Sequence, residues 1–281
     1  MAGAVNMKQQ EVRRYDAVGI GIGPFNLSLA ALLQPHKEIS SRFFDRAKEF
    51  QWHPGLLFPE ATIQVSYLKD LVTLADPTSR YSFLSFLFST KRLYRFITAN
   101  LPRVSRVEFN QYLRWVCASL PNLEFGRPVD ALTCDDESLI LRVGDETVRT
   151  RNVILGTGLA HCIPQCARPH IGATVFHASH YLMREIAPAG KRIVIVGGGQ
   201  TGAEVVCNLL SNSHALPREI LWISQRSNFL PLDESPFTNE LFTPEYSDFF
   251  FRLGPEEKAY LLAEQKLASD GISPDLLGRL Y

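Results

Sequence analysis

The sequence lacks an excess of charge of either sign. Its 281 residues contain 29 lysines and arginines and 29 aspartates and glutamates, so the formal net charge is zero. Proteins that bind nucleic acids carry a basic patch or block, and the charges of this chain are mixed along its length. The composition therefore argues against a nucleic-acid partner, although arginines and a lysine alternate with aromatic residues between Thr73 and Asn100.

The sequence also lacks a long apolar run and a regular cysteine pattern. Its longest apolar stretch lies near Tyr81–Phe88 and is too short to cross a bilayer. Residues 1–14 contain no apolar segment typical of a secretory signal. Five cysteines, at positions 117, 134, 162, 166 and 207, suggest no disulfide framework. We therefore expect a protein of a reduced, cytoplasmic compartment without a transmembrane segment.

What the sequence does contain, near its start, is a glycine turn between a strand and a helix. Residues 15–20 form a short apolar run that predicts a buried strand, and residues 24–32 read as a helix. Between them, Gly21 permits a tight turn and Gly23 allows backbone amides to approach a pyrophosphate at the helix N-terminus. Pro24 suits the first helical turn. Asn26 stands where the dinucleotide fingerprint has its third glycine, so an ordinary strand–turn–helix is the alternative.

Two further observations favour a nucleotide site. A second predicted strand, residues 41–45, ends at Asp45, about 20 residues past the glycines, where an acid can bind a ribose hydroxyl. The same unit then recurs: an apolar strand, residues 191–196, leads into a complete fingerprint at Gly197, Gly199 and Gly202.

The second glycine motif differs in the nucleotide it favours. Gln200 and Thr201 add side-chain donors near the phosphates. The strand that follows ends in Gln225 and Arg226 rather than in an acid, and an arginine favours the 2′-phosphate of NADP over NAD. Two dinucleotide folds in one chain predict FAD at the first and NADPH at the second, with hydride passing from nicotinamide to flavin.

Other segments leave alternatives open. Trp52 and His53 lie in a turn that either packs on the surface or borders a flat cofactor ring. Gln64 and Lys69 offer a hydrogen-bonding amide and a cation for binding; alternatively, they belong to a half-buried segment in which Lys69 simply faces water. Metal-binding residue types gather only in residues 161–180, at His161, Cys162, Cys166, His170, His177 and His180. Their spacing is not that of a zinc site, so we expect no metal.

Taken together, the motifs resemble those of the flavin-dependent lysine/ornithine N-monooxygenases of siderophore biosynthesis. The resemblance rests on GIGPFNLSLAAL, FQWHPG, QVSYLKDLVTLADPTSRYSFLSFL, EFNQYLRW, VGGGQTGAE and LDESPFTNELFTPEY, in family order over nearly the whole chain. The residues of these motifs most resemble the L-lysine N6-hydroxylase branch of the family. The resemblance implies NADPH- and O2-dependent hydroxylation of the terminal amine of L-lysine, ornithine or a related diamine, for a hydroxamate siderophore that binds iron.

The resemblance also implies roles for individual residues. The first glycine loop, Asp45 to His53, Gln64 and Val129 would line FAD. Residues 197–201 would hold the NADPH phosphates, with Arg226 at the 2′-phosphate. Lys69 would pair with the substrate carboxylate, and Asn239 would bind substrate near the nicotinamide. The flavin hydroperoxide would perform the chemistry, so that no side chain is catalytic, and a homotetramer is the implied assembly.

The expected fold is therefore α/β, with two Rossmann-like dinucleotide-binding domains. Residues 1–14 would form a tail, 15–187 the first part of the FAD domain, and 188–281 an incomplete NADPH domain. Family members continue beyond where this chain stops, so we expect a C-terminally truncated chain, with an inactive fragment as one outcome. The alternatives are a flavin-dependent NADPH oxidoreductase without hydroxylation and a vestigial nucleotide-binding fragment.

Overall fold

The computed structural model describes residues 14–101 and 103–281. The predicted N-terminal tail lies outside these residues except for Arg14, at which the first strand begins. The described chain divides into two compact units, residues 14–52 with 62–162 and residues 53–61 with 163–281. We call them the first and the second unit. This division falls earlier than the predicted boundary after residue 187, which stays a prediction about the nucleotide-binding domains.

The first unit contains β1 (Arg14–Ile20), α1 (Pro24–Leu33), β2 (Ser41–Asp45), α2 (Phe83–Ser89), α3 (Leu93–Ala99), α4 (Arg106–Ser119), β3 (Leu123–Phe125), β4 (Ala131–Cys134), β5 (Leu139–Val143) and β6 (Glu146–Leu155). The second unit contains β7 (Arg192–Val196), α5 (Gln200–Ser211), β8 (Glu219–Ile223), α6 (Pro236–Asn239), α7 (Pro244–Arg252), α8 (Pro255–Glu264) and α9 (Pro274–Leu280). Short 3₁₀ helices occupy Pro54–Leu56, Arg168–His170, Ala178–Met183, Glu240–Phe242 and Lys266–Ala268.

In the described part of the first unit, the strands form one sheet in the order β3-β2-β1-β6-β5-β4. Pairs β2–β3, β1–β2 and β1–β6 are parallel, and β5 pairs antiparallel with both β6 and β4. The parallel half carries the first glycine turn at its carboxyl edge, because β1 and β6 end side by side at Ile20 and Leu155. The predicted α/β class is confirmed, and three of the strand pairings in this sheet are parallel.

The core of the first unit lies on both faces of this sheet. Consecutive strand residues point to opposite faces, so Phe43 packs with α1, α2 and α4 while Phe44 packs with Val18 and Leu141. Both phenylalanines are fully buried, which stabilises the fold by roughly 2–3 kcal/mol for each side chain. This packing fixes β2 beside β1 and thereby fixes the position of Asp45 at the strand's end.

Serine residues set where two helices of the first unit begin. The apolar run at 81–88 becomes helical only at Phe83, because Ser82 is the N-cap and its hydroxyl accepts from the Ser85 amide. Helix α4 begins at Arg106, where Ser105 caps it by accepting from the Glu108 amide. In both cases a serine sets the start of the helix.

The second unit is built on a β7–α5–β8 unit. Strands β7 and β8 are parallel, with Ile195 opposite Trp222. Helix α5 buries Ala203, Val205, Val206 and Leu209, and α9 packs on it through Leu276, in a cluster with Ala203 and Ile272. Within the described residues, no helix is both long and apolar enough to cross a membrane.

Candidate functional site

The first glycine loop connects β1 to α1 in a conformation that requires glycine. Gly21 has φ +88°, and a Cβ placed on it would lie 2.3 Å from the Gly156 carbonyl oxygen. The Gly21 amide donates to the Phe44 carbonyl at 2.7 Å, so the loop is tied to β2. The segment after β6 therefore touches the first glycine loop at Gly156.

Asn26, at the position of the missing third glycine, holds this loop together. Its side chain is 1% exposed, and its Nδ2 donates to the Gly21 carbonyl at 2.7 Å. The same nitrogen lies 3.4 Å from the carbonyl oxygens of Ile20 and Ile154. Asn26 thus joins the glycine loop to the end of β6.

Asp45 lies beside the same loop. Its Oδ2 accepts a hydrogen bond from the Ile22 amide at 2.6 Å, and its Oδ1 accepts from the Ala47 amide at 2.7 Å. The structure therefore brings Asp45 to the glycine loop, as its spacing indicates. In this arrangement the carboxylate orients a loop amide, and its contact with a ribose stays a prediction.

The N-terminus of α1 fits a phosphate group. Gly23 is its N-cap and supplies no side-chain cap, and Pro24 follows it. The first amides of a helix have no partner within the helix, and the helix dipole favours an anion there. A Cβ on Gly23 would meet no atom within 4 Å, so a ligand can approach the backbone. The strand, loop and helix N-terminus together fit the pyrophosphate of a dinucleotide.

The other predicted flavin residues are spread over both units. The Trp52 ring packs on Phe109, with 5.5 Å between centroids, and Val129 packs beside Val18 and Phe44. Gln64 is half-buried in the first unit. His53, with φ 48°, is the N-cap of the 3₁₀ helix Pro54–Leu56 in the second unit. Their contacts with a flavin stay predictions.

Lys69 lies in an exposed turn that its neighbour Asp70 fixes. The Lys69 amide donates to the Ser66 carbonyl at 2.9 Å. Asp70 accepts from the amides of Val72 and Thr73 at 2.9 and 2.7 Å. It also accepts from the Thr73 hydroxyl at 2.8 Å and from the Phe83 amide at 2.6 Å. One carboxylate thus fastens the loop to the start of α2.

The same loop is tied to α4 and α1. The Tyr112 hydroxyl accepts from the Leu71 amide at 3.3 Å and donates to the Tyr81 carbonyl at 2.8 Å. Burial, together with the nearby Asp70 charge, raises the pKa of Tyr112 well above its ordinary value, so the hydroxyl keeps its proton. Ser28, on α1, donates to the Leu71 carbonyl. Lys69 is therefore an exposed cation on a loop whose following residues, Asp70 and Leu71, are fixed by hydrogen bonds.

The second glycine loop repeats the design of the first. Gly197 has φ +131°, and a Cβ on Gly202 would lie 2.2 Å from the Gly197 carbonyl oxygen. Trp222, on β8, donates from its ring nitrogen to that carbonyl at 2.8 Å. Gly199 is the N-cap of α5 and supplies no side-chain cap. This helix N-terminus therefore fits a second phosphate group.

Gln200 and Glu204 extend the second site. Gln200 Nε2 donates to Glu204 Oε1 at 2.8 Å, and Gln200 Oε1 accepts from the Ser273 amide at 2.8 Å. Glu204 is buried on the first turns of α5. The Gln200 amide thus links α5 to the segment before α9, and its contact with a phosphate stays a prediction, as does that of Thr201.

Arg226 and Asn239 lie in the later part of the second unit. Arg226 Nη2 forms an ion pair with Asp270 at 2.6 Å. Asn239, the last residue of α6, donates from Nδ2 to the carbonyls of Glu234 and Ser235 at 3.3 and 3.2 Å. In the part of the chain that the structure describes, no three His, Cys, Asp or Glu residues are placed to hold a metal ion.

Sequence reasoning missed Asp70 and Trp222 as residues that build the sites. Asp70 has a recognisable signal, since an aspartate at the start of a turn accepts from backbone amides two and three residues on. Trp222 has no such signal in the sequence, because its hydrogen-bond partner lies 25 residues away on the glycine loop.

Comparison with known proteins identifies a family and several relatives to which this chain is similar. The sequence profile of the L-lysine 6-monooxygenase/L-ornithine 5-monooxygenase family matches residues 13–281. L-lysine N6-monooxygenase of Escherichia coli is 42% identical over 268 residues, which cover 95% of this chain and 63% of that protein. The chain thus spans less than two thirds of that relative's length.

Two solved structures share the fold over nearly the whole chain. One is DfoA of Erwinia amylovora bound to FAD, described as the cadaverine monooxygenase of desferrioxamine biosynthesis. It has a TM-score of 0.91 and 34% identity, over 96% of this chain and 65% of that one. The other is the ornithine N-hydroxylase KtzI of Kutzneria sp. 744 with FAD, NADP⁺ and L-ornithine. It has a TM-score of 0.88 and 31% identity, over 96% and 67%.

Proposed function

The chain belongs to the L-lysine 6-monooxygenase/L-ornithine 5-monooxygenase family, and on this premise we propose that it serves NADPH- and O2-dependent N-hydroxylation of the terminal amine of L-lysine or a related diamine. The product is a hydroxylamine for a hydroxamate siderophore. L-Lysine is the first candidate substrate because the 42% identical relative acts on lysine.

The observation that carries the proposal is the pair of glycine loops, each leading into a helix without a side-chain cap. We assign FAD to the loop of the first unit, with Gly21, Gly23 and Asp45, and NADPH to the loop of the second unit, with Gly197 and Gly199. Both units are then Rossmann-like dinucleotide-binding domains. FAD supplies electron transfer and oxygen activation when bound.

The protein's own part is to bind and orient. Asn26 and Asp45 hold the first loop open to a pyrophosphate, through bonds to the Gly21 carbonyl and the Ile22 amide. Lys69 presents an ammonium on the loop fixed by Asp70 and pairs with the carboxylate of an amino-acid substrate. Asn239 is the second proposed substrate contact.

The test is the visible spectrum of the purified 281-residue chain with FAD, then NADPH, followed by an assay of hydroxylated lysine. We expect bound flavin that bleaches with NADPH, and product that requires lysine. NADPH oxidation without hydroxylated product would favour an NADPH oxidoreductase. A chain that takes up neither nucleotide would contradict the proposal for residues 1–281.

Lys69→Ala tests the substrate site separately. Loss of a charge-assisted hydrogen bond costs about 1.5–3 kcal/mol, so the KM for lysine should rise roughly 10- to 150-fold. NADPH oxidation without substrate should persist. Lys37→Ala, a change of another exposed lysine in the first unit, is the matched control and should leave the KM for lysine unchanged. An unchanged KM in Lys69→Ala would remove Lys69 from the substrate site.

A further inference from the structure

An acid holds the arginine that follows β8. Arg226 Nη2 lies 2.6 Å from Asp270 Oδ2, and Arg226 Nη1 donates to the Asp270 carbonyl, 44 residues later in the chain. Lys266 Nζ lies 3.9 Å from the same Oδ2. The Arg226 side chain is 20% exposed and that of Asp270 47%. The carboxylate is therefore both a partner of the arginine and accessible to a ligand.

This ion pair borders the second glycine loop. A Cβ on Gly198 would lie 2.2 Å from the Ser224 hydroxyl oxygen, and the Arg226 amide donates to that same oxygen at 3.0 Å. The residues just past β8 thus lie against the glycines. In a βαβ nucleotide site this is the position at which an acid binds the ribose 2′-hydroxyl of NAD, or an arginine binds the 2′-phosphate of NADP.

Asp270 is fixed at this position by its neighbours. The Ile272 amide donates to the Leu230 carbonyl at 2.9 Å, and the Leu232 amide donates to the Ile272 carbonyl at 2.8 Å. The Ser273 amide donates to Gln200 on the first turn of α5 at 2.8 Å. The backbone on the C-terminal side of Asp270 is thus fastened both to the segment after β8 and to the glycine-loop helix.

We propose that Asp270 is a specificity-determining residue that lowers the preference of this chain for NADPH over NADH. The proposal rests on the nucleotide site proposed above for the second unit. A 2′-phosphate that reaches Arg226 must compete with the Asp270 carboxylate for the guanidinium, and it meets a like charge. A nucleotide with a free 2′-hydroxyl meets no such repulsion. The site therefore contains an arginine that selects NADPH and an acid that opposes it.

The test is calorimetric titration of the full chain with 2′,5′-ADP and with 5′-AMP, which differ in the 2′-phosphate. Asp270→Asn keeps the shape of the side chain and an acceptor for Arg226 but removes the charge. We expect 2′,5′-ADP to bind about three- to tenfold more tightly, as removal of one unit charge at a partly exposed site predicts, and 5′-AMP to bind within twofold of wild type. Asp270→Ser should act in the same direction.

The matched control is Asp248→Asn. Asp248 is another exposed aspartate of the second unit, paired with Arg252 at 2.6 Å on α7, so the same change of charge there should leave both affinities as in wild type. If wild type binds both nucleotides and Asp270→Asn binds 2′,5′-ADP no more tightly, Asp270 only orients Arg226 and the inference fails. If wild type binds neither, the nucleotide site itself is wrong, and the proposed function fails with it.

Discussion

Replacing Asn26 by glycine would complete the first dinucleotide fingerprint, yet we expect it to weaken the site. Asn26 Nδ2 donates to the Gly21 carbonyl at 2.7 Å and lies 3.4 Å from two further carbonyl oxygens. A Cβ on Gly156 would lie 2.5 Å from the same nitrogen, so the amide fills the space between the two loops. Asn26→Gly would leave this space empty, and the carbonyls would lose their hydrogen-bond donor.

The magnitude follows from three contributions. One well-formed buried hydrogen bond contributes about 1 kcal/mol. Glycine within a helix costs a further ~0.5 kcal/mol relative to asparagine. The cavity left by a fully buried side chain and the unpaired Gly21 carbonyl add about 1–2 kcal/mol. The expected loss is therefore roughly 3 kcal/mol, or about 6–12 °C in Tm for a unit of this size.

Thermal unfolding followed by circular dichroism measures the stability, and quenching of flavin fluorescence measures FAD binding. Asn26→Asp is the informative companion, because its carboxylate would face the same carbonyls without a donor and should be at least as damaging. Asn26→Gly that matches wild type in both stability and FAD affinity would refute the reasoning. It would show that the third position needs only a small residue.

Two further perturbations test other parts of the molecule. Gly202→Ala places a Cβ 2.2 Å from the Gly197 carbonyl oxygen, so we expect more than a tenfold loss of NADPH affinity by titration, with FAD uptake unchanged. The Arg42 hydrogen bond lowers the pKa of Glu146 from its ordinary value, so the stabilisation from this ion pair is complete above the unfolded-state pKa and is lost as pH falls through the folded-state pKa. Urea unfolding should show Glu146→Gln up to about 1 kcal/mol less stable than wild type at pH 7, with the difference closing as pH falls through the folded-state pKa of Glu146; a difference that persists in acid would contradict this assignment.

The sequence predicts best what short-range signals determine. The bounds of β1, α1 and β2 follow within a residue from an apolar run, a glycine turn and Pro24. The family follows from motifs that the profile match confirms. In contrast, the approach of Gly156 to Gly21 depends on β6 pairing with β1 across more than a hundred residues. The pairing of Arg226 with Asp270 depends on how the segment before α9 folds back, and no local pattern encodes it.

The two glycine loops are held by side-chain hydrogen bonds that come from different places in the chain. In each, a side chain donates a hydrogen bond to the carbonyl of the first glycine and so holds the turn in place. In the first loop Asn26 donates to Gly21 from the third fingerprint position itself. In the second loop that position is Gly202, and Trp222 donates to Gly197 from the next strand instead. A Cβ on Gly202 would lie 3.1 Å from the Trp222 nitrogen, so a side chain at the third position and the tryptophan donor compete for the same space. The departure of the first motif from the fingerprint is therefore a different way to satisfy the same carbonyl, and it leaves the helix N-terminus equally open to a phosphate.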